Sequence, residues 1–146
     1  MDIEQLLRST RTVLLIDWPD REVPDTLARS GYRVVSHDGP SSDDYNAYEI
    51  EQGEVVIRPL GRPPHHAELV YSHRPIEELP EIVEEAVAVG AAAVWIQSGL
   101  DAEGGTDRRG CWLSAEVSDR ARMVVEAAGL AFVEAPYIVD AVRAIR

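Results

Sequence analysis

Lysine is missing from this chain of 146 residues, and all 14 of its basic side chains are arginine. A Schiff-base lysine, a pyridoxal phosphate anchor and the lysine of a Walker A loop are therefore excluded. Cysteine occurs once, at Cys111, which rules out an intramolecular disulfide and a thiolate metal site built from this residue type alone. No apolar run approaches the length needed to cross a bilayer. The opening residues, Met1-Asp2-Ile3-Glu4-Gln5, carry neither the basic start nor the apolar stretch of a secretory signal, so a cytoplasmic location is expected. Positive charge is scarce. Against 26 acidic side chains the formal net charge is −12, which repels nucleic acid and anionic membranes as general partners.

What is present reads as an ordinary soluble globular protein, 45% hydrophobic and 27% charged. The length suits one domain, residues 1–146, with a full core. Residues 68–100 are the most informative stretch. They read as a strand ending in Ser72-His73-Arg74-Pro75, then a helix with Leu79, Ile82, Val83, Ala86 and Val87 on one stripe, stopped by Gly90. A second strand over residues 92–96 ends in Gln97-Ser98-Gly99. Parallel strands cannot be joined by a tight turn, so this unit implies a sheet with helices on its faces.

The same alternation runs through the rest. A short helix over residues 3–8 precedes Thr12-Val13-Leu14-Leu15-Ile16, a continuous apolar run suited to a strand buried on both faces. A brief helix over residues 24–29 stops at Gly31, and a strand over residues 32–36 leads into His37-Asp38-Gly39-Pro40. Residues 41–46 read as a polar surface loop, and Val55-Val56-Ile57 as a short strand. Residues 101–110, rich in glycine and charge, predict a mobile loop. Ser114 is a plausible N-cap for a helix with Val117, Ala121, Val124, Val125 and Ala128 inward, stopped by Gly129. A fifth main strand over residues 130–133 and a closing helix over residues 137–145 complete the pattern. The expectation is one Rossmann-like, doubly wound α/β domain. It has five main parallel strands in the order 3-2-1-4-5 and helices on both faces.

One set of residues carries a family resemblance. It runs from Gly53-Glu54-x-Val56 through Leu60, Pro64 and Glu68-Leu69-Val70 to Arg74-Pro75. It continues with Val83-Glu84-Glu85-Ala86, Gly90-Ala91, Val94-Trp95, Gln97 and Gly99. In these positions the chain resembles the stand-alone CoA-binding proteins, small Rossmann-like domains related to the CoA-binding domain of succinyl-CoA synthetase. Gly31-Tyr32-x-Val34 and Ala127-Ala128-Gly129-Leu130 fit the same pattern. The resemblance implies CoA, or NAD or another adenine nucleotide, as ligand. The departures lie at the phosphate end. Family members usually follow the first strand with Gly-Ala-Ser, whereas this chain has Asp17-Trp18-Pro19-Asp20 and a shorter link to Gly31. Where an Asp-Arg-Cys motif often follows the fifth strand, this chain has Glu134-Ala135-Pro136.

In an open α/β sheet ligands bind outside the carboxyl ends of the strands, which directs attention to four turns. Asp17 and Trp18 follow the first. His37, Asp38 and Pro40 follow the second, where Asp38 can accept from a ribose hydroxyl or simply close an Asx turn. Ser72, His73 and Arg74 follow the third. Arg74 can fork to a phosphate while His73 stacks on a purine, or Arg74 can pair with Glu77 or Glu78. Gln97, Ser98 and Gly99 follow the fourth and offer backbone and amide groups, or form only a tight turn. His65-His66 invites a metal, but adjacent loop residues rarely point at one ion, so no metal is expected. Cys111 beside Trp112 is either a reactive thiol or a buried pair. No nucleophile–base spacing rises above chance, so no catalytic set is expected.

The expected function is binding of CoA or a related nucleotide without chemistry, weakly, through Arg74 and the backbone of residues 97–99. The alternative is a degenerate CoA-binding fold that has lost the nucleotide and serves as a protein-interaction module. A protein partner or a homo-oligomer stays open in either case. A third alternative is an enzyme using Cys111 or His73 with a partner group the sequence does not reveal.

Overall fold

The structure is a computed structural model that describes residues 2–37, 43–97 and 113–145. Along the chain it contains α1 (Ile3–Ser9), β1 (Thr12–Ile16), α2 (Glu22–Arg29), β2 (Arg33–His37), β3 (Tyr45–Glu51) and β4 (Glu54–Pro59). Then come β5 (Leu69–Ser72), a 3-10 turn (Ile76–Glu78), α3 (Leu79–Ala88), β6 (Ala93–Ile96), α4 (Ala115–Ala127), β7 (Ala131–Val133) and α5 (Ile138–Ala144).

Burial explains why the apolar run of β1 forms the centre. All five of its residues are buried. Val13 and Leu15 pack into a core with residues of α1, α2 and α5, whereas Leu14 and Ile16 face a second core with α3 and α4. Side chains alternate across a strand, so a strand covered on both faces reads as a near-continuous apolar run, here Val13 to Ile16. Each such side chain contributes about 2 kcal/mol by leaving water.

The fold class is the expected Rossmann-like one, α/β with five parallel strands and helices on both faces, but the strand order and number differ. Among the described residues one sheet of seven strands runs β4-β3-β2-β1-β5-β6-β7. The third main strand, β5, pairs with β1 and not with β2, so the five parallel strands stand in the order 2-1-3-4-5. The reason is the hairpin that sequence patterning missed. β3 pairs antiparallel with β2 and takes its outer edge, and β4 extends the sheet beyond it. The other edge of β1 is what remains for β5.

Residues 41–46 were expected as a polar loop, yet Tyr45 and Asn46 open β3, and the short strand at residues 55–57 extends to Glu54–Pro59. The turn between them, Gln52-Gly53, has φ of 53° and 81°. Positive φ at both central residues is the two-residue hairpin turn that matches strand twist.

The helices keep their expected stops, since Gly31, Gly90 and Gly129 all have positive φ. Ser114 caps α4 by accepting from the N–H of Val117. Three inward assignments need correction. Val87 on α3 is exposed and Val89 is buried in its place. On α4, Val124 and Ala128 face out, and Ser118 turns in with Ala121 and Val125. α4 is therefore buried on a narrower stripe than its valines suggested.

Candidate functional site

Because β1, β2, β5, β6 and β7 are parallel, their carboxyl ends gather at one edge of the sheet. From β1 the chain crosses through α2 to β2 on one side, and from β5 it crosses through α3 to β6 on the other. The connections diverge between β1 and β5, and that divergence opens a crevice in such sheets. Asp17 and Trp18 flank it from β1; Ser72, His73 and Arg74 flank it from β5.

The crevice is bridged by charge. Arg74 directs Nε and Nη2 to the two carboxylate oxygens of Glu78, at 3.1 and 2.7 Å. Its Nη1 lies 3.7 Å from Asp17 Oδ2. The Glu78 hydrogen bond, with Asp17 as a lesser contributor, raises the guanidinium further above its ordinary pKa. Asp17 sits at φ 66°, a left-handed conformation that an L residue other than glycine adopts at a cost. Asp is among the better tolerated there, and its Oδ1 accepts from the next backbone N–H, that of Trp18. Trp18 packs edge-on to Tyr48 with ring centroids 6.1 Å apart.

Ser72 is fully buried, and its hydroxyl accepts from the backbone N–H of Arg74 at 3.1 Å, which shapes the turn. The N–H of His73 donates to the carbonyl of Ile16, tying the β5 exit to the end of β1. His73 Nδ1 is buried and has no hydrogen-bond partner among the described residues.

Two expected ligand residues are engaged elsewhere. His37 is 1% exposed, stacks on Tyr45 with ring centroids 4.0 Å apart, and holds Nδ1 2.6 Å from Glu85 Oε1. The same Glu85 oxygen accepts from the Tyr45 hydroxyl at 3.0 Å. Burial, reinforced by the Glu85 charge, pushes the Tyr45 phenol well up and keeps it a donor. Gln97 is fully buried. Its Nε2 donates to the Pro136 carbonyl at 3.3 Å, and its Oε1 accepts from the Ile138 N–H at 3.2 Å. The Gln97 amide thus anchors the first turn of α5, together with Trp95, whose Nε1 donates to the same carbonyl.

The structure therefore brings Asp17, Trp18, Ser72, His73 and Arg74 together. It places His37 and Gln97 at the same edge, with their side chains turned into the fold. Asp38, Pro40, Ser98 and Gly99, the expected loop at 101–110 and Cys111 lie outside the described residues. Sequence reading missed Glu85 and Tyr45, the partners of His37. Their signal was faint: Glu85 sits at the margin of the apolar stripe of α3, and Tyr45 lies in a stretch read as loop. It also missed Pro136 and Ile138 as the partners of Gln97. His66 lies 3.3 Å from Glu68 Oε2, and among the described residues no cluster of three His, Cys, Asp or Glu side chains is placed to hold a metal ion. No helix among them is long and apolar enough to cross a membrane.

An open, mostly parallel α/β sheet with helices on both faces and polar and charged groups gathered at its switch point defines a Rossmann-like domain. The chain belongs to the CoA-binding domain family, whose model matches residues 17–140. Among solved structures it is similar to the protein described as cell-free ID.343 from Thermus thermophilus. The two share 20% identity and a TM-score of 0.61, with each chain covered in full, a likeness of fold alone. No curated protein sequence matches it.

Proposed function

We propose that this protein binds CoA, or a related adenine nucleotide, in the crevice between the ends of β1 and β5, and does no chemistry on it. Membership of the CoA-binding family over residues 17–140 is the observation that carries this reading. The site's chemistry supports it. Arg74 offers a planar guanidinium fork at the crevice, beside His73, whose buried Nδ1 has no hydrogen-bond partner among the described residues.

The phosphate end sets the strength. Asp17 and Glu78 already share Arg74. At the start of α2 Asp20 accepts from the Glu22 N–H, while Glu22 and Asp25 add two carboxylates against the cation of Arg21. Carboxylates at a helix N-terminus occupy the place where a phosphate would be favoured, and they repel it. Binding is therefore weak, falls with salt, and depends on Arg74 exchanging its carboxylate partners for phosphate. Titration of CoA into wild-type and Arg74→Ala protein tests this, and the variant should lose the binding that wild type shows.

The same geometry favours a second reading. With Arg74 held by Glu78 and the Gln97 amide spent on α5, the fold can have given up its nucleotide and serve as a protein-interaction module. No response to CoA, ADP or NAD at millimolar concentration would select that reading.

A further inference from the structure

The sheet ends at β4, and among the described residues no strand pairs with its outer edge. The register from Glu51–Glu54 to Asn46–Pro59 and the two-residue turn fix which groups that edge presents. Such a turn makes its flanking residues, Glu51 and Glu54, a hydrogen-bonded pair, and the ladder alternates from there. Glu54, Val56 and Arg58 accordingly turn N–H and C=O towards β3, whereas Val55 and Ile57 turn theirs outwards. Pro59, which has no N–H, closes that end of the edge. An exposed row of this kind is a template for another strand, and the side chains decide which strand fits.

Outward from Val56 the sequence is symmetric in kind: apolar Val55 and Ile57 on either side, then charges of opposite sign, Glu54 and Arg58. We propose that β4 pairs with β4 of a second copy, antiparallel, about a two-fold axis at Val56. In that register Val55 faces the partner's Ile57, Glu54 faces the partner's Arg58, and Val56 faces the partner's Val56. The outward-pointing groups of Val55 and Ile57 form the hydrogen-bonded pairs, and the Val56 pair is the non-hydrogen-bonded one. Opposite charges and apolar groups facing across strands stabilise a pair, and like charges oppose it. A slip of two residues either way sets Glu54 or Arg58 against Val56, and one of those slips also spends a hydrogen-bonding position on Pro59. A slip of one turns the faces against each other.

Two further observations fit this partner. Ile50 and Ile57 are 44% and 46% exposed, and they share a sheet face with Tyr48 and Val55, which reach the core. Pairing lays this row beside its own copy and covers Ile57. On the other face Arg58 bridges Glu49 and Glu51, leaving Glu54 a third carboxylate that the partner's Arg58 can meet. The net charge of −12 on each copy opposes association, so the dimer is concentration-dependent.

Sedimentation velocity on the full chain over a concentration series should show growth from 16.1 kDa to twice that mass. Glu54→Arg and Arg58→Glu, each alone, should stay monomeric, because each sets like charges across the new pair. An equimolar mixture of the two should dimerise, since each chain then supplies the charge the other lacks. Circular dichroism checks that both fold. If either does not, Val56→Cys in a Cys111→Ser chain answers the same question. A non-hydrogen-bonded pair sets its Cα atoms about 4.5 Å apart, close enough for an intermolecular disulfide on mild oxidation. A wild-type chain that stays monomeric at every concentration overturns the proposal. So does a dimer that survives both charge variants, a mixture of the two folded variants that stays monomeric, or a cysteine variant that fails to cross-link.

Discussion

Arg74 and Glu78 form a two-point ion pair, one turn apart, on the lip of the crevice between β1 and β5. The cation best placed to meet a phosphate is thereby held by a carboxylate from the start of the next helix, with Asp17 on its other side. Any anionic ligand must compete with these two groups for the same guanidinium.

Removing that competitor should strengthen binding. Glu78→Gln keeps the side chain's shape and deletes its charge, and CoA affinity should rise about tenfold, equivalent to ~1.4 kcal/mol. Calorimetric titration at low salt reads this directly. An unchanged affinity would place the ligand's phosphates away from Arg74.

Gln97 should prove a structural residue. Its amide satisfies the Pro136 carbonyl and the Ile138 N–H from a fully buried position. Gln97→Ala leaves the Ile138 N–H without its partner, leaves the Pro136 carbonyl only its Trp95 donor, and opens a cavity, at a cost of about 3 kcal/mol. The urea midpoint should fall with little change in slope. A midpoint within error of wild type would show that water or a shifted chain replaces the amide.

Glu68 ties the other end of the sheet to the pH of the solution. Its carboxylate accepts from the N–H groups of Arg11 and Thr12 at 3.0 and 2.9 Å. Burial pushes its pKa up, but those two bonds, with His66 nearby, outweigh it and hold the group below its ordinary value. A depressed carboxyl contributes stability that is present above its unfolded pKa and is lost as pH falls through the folded one. Stability should therefore decline on the acid side of the ordinary glutamate range, and Glu68→Gln should flatten part of that decline. Urea unfolding of both proteins across the acid range reads the difference, and parallel curves would contradict it.

The elements that could be read from the chain were those set by local rules. β1 is buried along its whole length and apolar from Val13 to Ile16 because both faces are covered, and Gly31, Gly90 and Gly129 stop helices because their φ is positive. The order of the strands was not legible, because it turned on β3. Tyr45 and Asn46 follow a polar stretch, and nothing local reveals that Tyr45 has Glu85, forty residues on, as its partner. The site shows the same division. Strand–helix alternation pointed to the carboxyl ends of four strands, and the chain itself offered Glu78 as a rival for Arg74. The divergence between β1 and β5 depends instead on the strand order. That Gln97 points into the fold depends on Pro136 and Ile138, which only the packed structure brings alongside.

The central claim is tested most directly by titrating CoA into wild-type and Arg74→Ala protein at low and moderate salt. The expected result for wild type is a dissociation constant of about 1 mM, ~4 kcal/mol of binding free energy. It should weaken further as salt is added, and Arg74→Ala should show no binding. No binding by wild type at millimolar CoA, ADP or NAD, or binding that is tight, indifferent to salt and unaffected by loss of Arg74, would contradict it.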